Sequence, residues 1–323
     1  MNIKKKIIIQ NKKILFTAGP ASLSEENITD LKPCFGRGDK EYSKIEKYVL
    51  SKILKISGHD QIARVQGSGS LGIEIMALNF LYGKVLIVDT GYYSARVSEI
   101  CNFAKSNYNI IKKIKIINWN NLKDFSEKFD WIIACPTETS CGLKIPIKEL
   151  YSLKKRTKSK LMLDATASIG LEKDHHLADV LSFSSCKGLF GLTGACFICF
   201  NGKIENEVNS FYLKLSNHIE KRMTGPYHTI YSLYNVLKKY NDFKYSVIIN
   251  KKRFLKKMQS YLSLPLKNQP LLCTHVTKKI FTKNKNVILY EPRNNLAGSV
   301  VCHLGEAHLK KLSKGNIIDE LQY

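Results

Sequence analysis

From about Ile14 to Phe200 the sequence alternates short runs rich in β-branched and aromatic residues with longer amphipathic runs. No other feature restricts the fold as strongly. Strands are expected over residues 63–65, 85–89, 131–135, 161–164, 180–183 and 195–200, and helices over 71–80, 95–105 and 147–155. Strand–helix–strand succession builds crossover units, so the pattern predicts an α/β fold with a mostly parallel sheet flanked by helices. The last two strands lie too close together for a crossover helix, and one of them is expected to run antiparallel. After Pro226 a helix over 227–240 leads into a more polar stretch, read as a small α+β domain. A chain of 323 residues exceeds the size at which one core divides. The expected division is a large domain over 1–235, including the N-terminal segment, and a small C-terminal domain over 236–323.

Charge narrows the function classes. Lys and Arg number 51 against 27 Asp and Glu, for a net charge of +24. The lysines are scattered among Ile and Asn and form no stripe interleaved with aromatics, so no nucleic-acid partner is expected. A positive surface does favour anionic ligands. Apolar runs fall well short of the roughly 20 residues that span a bilayer. The N-terminal apolar stretch is cut after three isoleucines by Gln-Asn-Lys-Lys, and no small-residue cleavage site follows. A cytoplasmic location without membrane contact is expected. Nine cysteines, an odd number and several in apolar runs, read as buried reduced thiols. Cys196 and Cys199 form a CxxC, but residues three apart on a strand face opposite sides. His175 and His176 are adjacent and His303 and His308 are five apart, so no metal site is expected.

Four segments at strand ends can carry chemistry, and strand ends are where ligands bind in such sheets. Gln66-Gly67-Ser68-Gly69-Ser70 leads into a helix. Small residues and free N–H groups there suit either an ordinary helix cap or a phosphate site. Thr137-Glu138-Thr139-Ser140-Cys141-Gly142 places hydroxyls after a strand, with Glu138 able to cap a helix or orient its neighbours. Asp164 ends a buried strand and needs a partner, either a helix start or the protonated nitrogen of a pyridine ring. Lys187, in SSCKGLFG, is either a loop lysine or an amine that condenses with an aldehyde. Gly91-Tyr92-Tyr93-Ser94-Ala95-Arg96 adds an aromatic able to stack on a flat ring.

The order is more telling than any single motif. FTAGPAS, QGSGSLGIE, GYYSAR, ETSCG, DATASIG and SSCKGLFGLTG follow one another over roughly residues 15–200. In that order and spacing the chain resembles the class V, fold type I aminotransferases that depend on pyridoxal 5'-phosphate, in their alanine–glyoxylate and 2-aminoethylphosphonate–pyruvate branch. The resemblance implies that Lys187 is the Schiff-base lysine, with Cys186 beside it on the cofactor-binding turn, and that Asp164 partners the pyridinium. It makes Tyr93 the stacking aromatic, Thr139 the hydroxyl near the ring oxygen, and Ser68, Gly69 and Ser70 the phosphate turn. Arg222-Met223-Thr224-Gly225-Pro226-Tyr227-His228 resembles a segment that reaches the partner subunit's cofactor. Thr224 therefore implies a homodimer with shared active sites, and His228 inclines the comparison to the phosphonate branch.

The chain departs from the family pattern in three places. An arginine that binds the substrate's acidic group is expected near the C-terminus, where this chain has His303-Leu304-Gly305. Arg293, ten residues earlier, can compensate, so His303 and Arg293 are both substrate-binding candidates. An early segment reads Arg37-Gly38-Asp39-Lys40-Glu41-Tyr42 in altered form, and the small domain is short. The implied reaction moves an amino group from a small anionic donor, 2-aminoethylphosphonate first, to pyruvate. Alternatives are an alanine- or serine–glyoxylate exchange, a lyase or desulfurase on the same fold, and a basic nucleic-acid binder without enzymatic activity.

Overall fold

The computed structural model describes residues 5, 13–20, 24–28, 31, 38–293, 295–305 and 318–323. Of the motif residues, Ala21, Ser22, Arg37 and His308 lie outside the described residues.

The chain runs β1 (Ile14–Phe16), α1 (Lys40–Ser57), β2 (Gln61–Gln66), α2 (Gly69–Phe80), β3 (Gly83–Asp89), α3 (Tyr92–Tyr108), β4 (Ile111–Asn118) and β5 (Trp131–Ala134). It continues through β6 (Thr137–Glu138), β7 (Leu143–Lys144), α4 (Ile147–Thr157), β8 (Lys160–Asp164), β9 (Val180–Ser184) and β10 (Ala195–Phe200). The remainder holds α5 (Leu215–Ile219), α6 (Tyr227–Lys238), α7 (Tyr240–Met258), β11 (Cys273–Val276), β12 (Val287–Leu289) and β13 (Ser299–Cys302). Seven strands form one sheet in the order β2-β10-β9-β8-β5-β3-β4. Every pairing from β9 to β4 is parallel, and β10 runs antiparallel to both its neighbours. This is the α/β architecture expected, with the single reversed strand where the short β9–β10 connection requires it.

Period-two alternation loads both faces of the sheet. On β3, Val85 and Ile87 join the apolar layer shared with α2 and α3, while Leu86 and Val88 join the layer shared with α1, α4 and α6. A strand covered on both sides reads as a continuous apolar run, as these do. Cys196 and Cys199 fall in opposite layers, and burial pushes both thiols up to about 12. The eight described cysteines are all unbridged.

Two elements escape a reading based on apolar runs. In β4 lysines alternate into the solvent-facing positions of an edge strand, where charge blocks pairing with another chain. In α1 the apolar positions recur at helical spacing among lysines; Asp39 caps its start by accepting from Glu41 and Tyr42 N–H, and Gly58 ends it at φ 73°. The helix expected over 227–240 is present as Tyr227–Lys238; Lys239, at φ −109° and ψ 16°, ends it, and a second helix begins at Tyr240. The expected boundary at 235/236 falls inside α6. Beyond it, β11 pairs with β13, and β12 takes β1 as its parallel partner. No helix among the described residues is long and apolar enough to cross a membrane.

A buried ion pair ties α1 to the outer strand of the sheet. Arg64 Nε of β2 donates to Glu46 Oε1 at 2.5 Å with both side chains buried, and Lys221 Nζ reaches Glu46 Oε2. Burial alone would raise the Glu46 carboxyl, but the hydrogen bonds from Lys221 and Arg64 outweigh it and hold the group below its ordinary value. The contribution is full above the unfolded value of about 4.3 and is lost as pH falls through the lower folded one. Glu46→Gln, which strands a buried guanidinium, is expected to cost roughly 3–5 kcal/mol in denaturant unfolding near pH 7. That gap should close below about pH 4; a gap unchanged down to acid pH would show that the ion pair is not its source.

Candidate active site

The carboxyl ends of β2, β3, β5, β8 and β9 point to one edge of the sheet, and the turns that follow them surround a cavity of about 500 Å³. It brings together Ser68, Gly69, Ser70, Tyr93, Thr139, Asp164, Cys186 and Lys187 from positions far apart in sequence. Thr224, Arg293 and His303 do not line it.

Each wall follows from local structure. Ser68 is the N-cap of α2, its hydroxyl accepting from Leu71 N–H at 3.4 Å. The N–H groups of a helix's first turn have no intrahelical acceptor and face outward, here into the cavity. Gly69 permits a close approach from the opposite wall: a Cβ there would sit 3.0 Å from Thr166 Oγ1. Tyr93 stands on the first turn of α3. That turn is fixed by Glu138, a fully buried carboxylate from β6 that accepts from Tyr93 N–H at 2.9 Å. Glu138 also accepts from Ser140 N–H at 3.1 Å and from Ser140 Oγ at 2.6 Å. Of the two roles open to it in sequence, it fills both. Burial raises its carboxyl in spite of these bonds.

Lys187 follows β9, with its Nζ 5.4 Å from the centroid of the Tyr93 ring. Its stem packs on the N-terminal segment, so that a Cβ on Gly19 would meet Lys187 Cγ at 3.0 Å; with φ at +121° Gly19 suits glycine on both counts. Asp164 is buried at the end of β8 and accepts from Thr166 N–H at 3.0 Å. Burial raises its carboxyl, against that bond and the charges of Lys187 and Arg96.

Sequence reasoning gave no role to Arg96, Cys135 or Thr166, all of which line the cavity. Arg96 was findable, since three residues after Tyr93 on a helix lies on the same face. Thr137, Thr139 and Thr166 share a further property: their hydroxyls are buried and close no hydrogen bond among the described residues. Polar groups so placed are costly unless something in the cavity satisfies them. A flat, polar, phosphorylated pyridine fits these walls. It would set its ring nitrogen on Asp164, its ring face on Tyr93, its ring substituents near the threonines and its phosphate at the α2 turn. Among the described residues there is no group of side chains that would hold a metal ion.

The structure corrects the expectation for His303. It follows β13 into the interior, is 1% exposed, and pairs with Thr274 Oγ1 at 2.9 Å beside the Phe254 ring. Burial first, then the nearby Lys251 charge, holds its imidazole well below the usual histidine range. Buried and with its protonation disfavoured, it does not line the cavity, where an anion holder was expected. Arg293, in contrast, donates Nη1 to Tyr92 Oη at 2.9 Å, and Tyr92 packs edge-on to Tyr93 at 5.4 Å. Its guanidinium is exposed and reaches the start of α3. Thr224 is exposed away from the cavity, on a segment whose Gly225 backs onto Arg64, where a Cβ would meet Cζ at 2.4 Å.

No family profile matches the chain. Over 261 residues it is 25% identical to a bifunctional phosphonoacetaldehyde hydrolase/aminoethylphosphonate transaminase of Clostridioides difficile, covering 73% of this chain and 41% of that protein. It is 25% identical over 260 residues to a 2-aminoethylphosphonate–pyruvate transaminase of Pseudomonas putida, and 26% over 258 residues to one of Vibrio vulnificus. These matches cover 72% and 71% of this chain and 70% of each relative. Among solved structures, ureidoglycine–glyoxylate aminotransferase of Bacillus subtilis superposes with a TM-score of 0.77 at 16% identity, covering 95% of this chain and 91% of that one. Alanine–glyoxylate aminotransferase of Nostoc does so at 0.76 and 16%, covering 95% and 94%.

His303→Arg tests the corrected placement. A charge forced into that interior without a partner is expected to cost several kcal/mol of stability and to leave substrate affinity no tighter. In the native chain, His303 contributes a loss of stability as pH drops below about 6.5, because only the unfolded form takes up its proton. A stable variant with tighter binding of an anionic substrate would put His303 back in the site.

Proposed function

We propose that this chain is a class V, fold type I aminotransferase that works with pyridoxal 5'-phosphate, and that it moves an amino group from 2-aminoethylphosphonate to pyruvate. One observation carries the cofactor assignment. Lys187, a buried Asp164, the Tyr93 face and three unsatisfied threonine hydroxyls meet in one cavity at a helix start. The donor rests on the relatives named for that activity and on the exposed Arg293 beside Tyr92, which offers an anionic substrate a permanent positive charge.

Bound in the cavity, the cofactor supplies an aldehyde to take up the donor's nitrogen and a ring that accepts an electron pair. The protein supplies the rest. Asp164 keeps a proton on the ring nitrogen, and burial makes this an economical arrangement, since carboxylate and ring cation neutralise each other. Lys187 Nζ would hold the cofactor's aldehyde carbon and would move the proton at the donor's carbon. Tyr93 would cover one face of the ring, and the Thr139 hydroxyl would donate to the ring's substituent oxygen.

The same reading includes a homodimer in which Thr224 reaches the partner subunit's cofactor. Its support is the exposure of Thr224 together with exposed Phe211 and Ile219 on the same stretch of chain. It also includes a cytoplasmic location, a cofactor-binding unit over 1–235, and a C-terminal unit over 236–323 that β1 joins by pairing with β12.

Two variants and a donor panel test the proposal. Borohydride should fix a pyridoxyl group to Lys187 in the native protein and to nothing in Lys187→Ala; a label on another lysine refutes the assignment. Asp164→Asn should keep the fold but lower turnover by about two orders of magnitude or more, as the ring loses its proton. If purified protein shifts its absorbance with alanine or serine and not with 2-aminoethylphosphonate, the donor is wrong while the cofactor stands.

A further inference from the structure

A phosphate dianion at the start of α2 needs more positive charge than a helix terminus offers, which amounts to about half an elementary charge. Among the residues lining the cavity, two carry full positive charges, Lys187 and Arg96. Lys187 follows β9 and approaches Tyr93, on the wall that holds the reacting carbon. Arg96 is fixed against the phosphate turn. Its Nη1 donates to Ser70 Oγ at 3.1 Å, and its guanidinium lies 5.3 Å from the Tyr93 ring and 5.5 Å from that of Tyr92. It forms no ion pair with a carboxylate among the described residues.

We propose that Arg96 is the charge that neutralises the cofactor's phosphate, acting with Ser70. A serine hydroxyl that accepts from a guanidinium turns its own O–H away from it. Ser70 would then donate outward to the anion while the remaining Arg96 N–H groups donate beside it. Contact with two tyrosine rings holds the guanidinium in place in advance, which reduces the entropy lost on binding. The arrangement also links two functions of α3: its first turn carries the ring-stacking Tyr93, and the next carries the phosphate's counter-charge.

The inference rests on the pyridoxal-phosphate reading, and the test separates the two. Apo-protein is titrated with pyridoxal 5'-phosphate, with pyridoxal lacking the phosphate, and with inorganic phosphate as a competitor. Wild-type protein that binds neither vitamer defeats the cofactor reading itself. If Arg96 holds the phosphate, Arg96→Gln weakens pyridoxal 5'-phosphate by about tenfold or more, the scale of one charge-assisted hydrogen bond. Pyridoxal affinity then changes by less than about twofold, since the lost contact is to the phosphate alone. Arg96→Lys should fall between, keeping charge without the fork, and inorganic phosphate should compete less well in Arg96→Gln. An equal loss for both vitamers would make Arg96 a brace for Tyr93 and overturn the proposal. So would unchanged cofactor affinity with a raised KM for the phosphonate donor, which would assign Arg96 to the substrate's anion.

Discussion

A carboxylate buried at the end of β8 is the constraint around which the site is organised. Asp164 sits where the parallel strands give out, and its burial raises the energy of its charged form. The protein provides the Thr166 side chain, one N–H at 3.0 Å and two cations at longer range, and burial still outweighs them. An apolar residue would be cheaper there if packing were the only requirement. On the proposed reading, a cationic ring nitrogen is what completes the position.

The walls around it depend on connections that stiffen one another. Glu138 is the joint: it takes the N–H of Tyr93 in the first turn of α3 and the N–H and hydroxyl of Ser140, next to Thr139. The Tyr93 and Thr139 walls are therefore positioned by one buried group. Buried polar networks that are fully satisfied rigidify what they hold, and a site that must keep a planar ring in register gains from that. Tyr92 extends the arrangement outward, packing against Tyr93 on one side and bonded to Arg293 on the other.

Strand positions were legible because the strands are covered on both faces and so read as uninterrupted apolar runs, as in Trp131–Ala134 and Ala195–Phe200. β4 was not, since its lysines mask an edge strand, and α1 was not, since its apolar positions are diluted by charge. The gathering of Ser68, Tyr93, Thr139, Asp164 and Lys187 was legible in the motifs, because each follows a strand of one sheet and strand ends converge. His303 shows where such reading fails. Alignment placed a polar residue at a family position, but the side chain follows β13 inward to Thr274, a contact set by the pairing of β11 with β13. Arg96 was overlooked for the opposite reason: an arginine at the fifth position of a helix looks like surface until Ser70 is brought beside it.

The pairing of β1 with β12 sets an order of events during synthesis. Chains fold from the N-terminus as they emerge, unit by unit. The strand at Ile14–Phe16 is made well before its partner at Val287–Leu289, which lies beyond every strand of the seven-stranded sheet. The sheet that carries Lys187 has all its strands once Phe200 has been translated, while the segment just after β1, with the Gly19 that packs on the lysine's stem, still lacks its anchor. Until Val287–Leu289 has been made, the cavity around Lys187 therefore lacks one anchored wall, and the pairing of β1 with β12 is what fixes it in place.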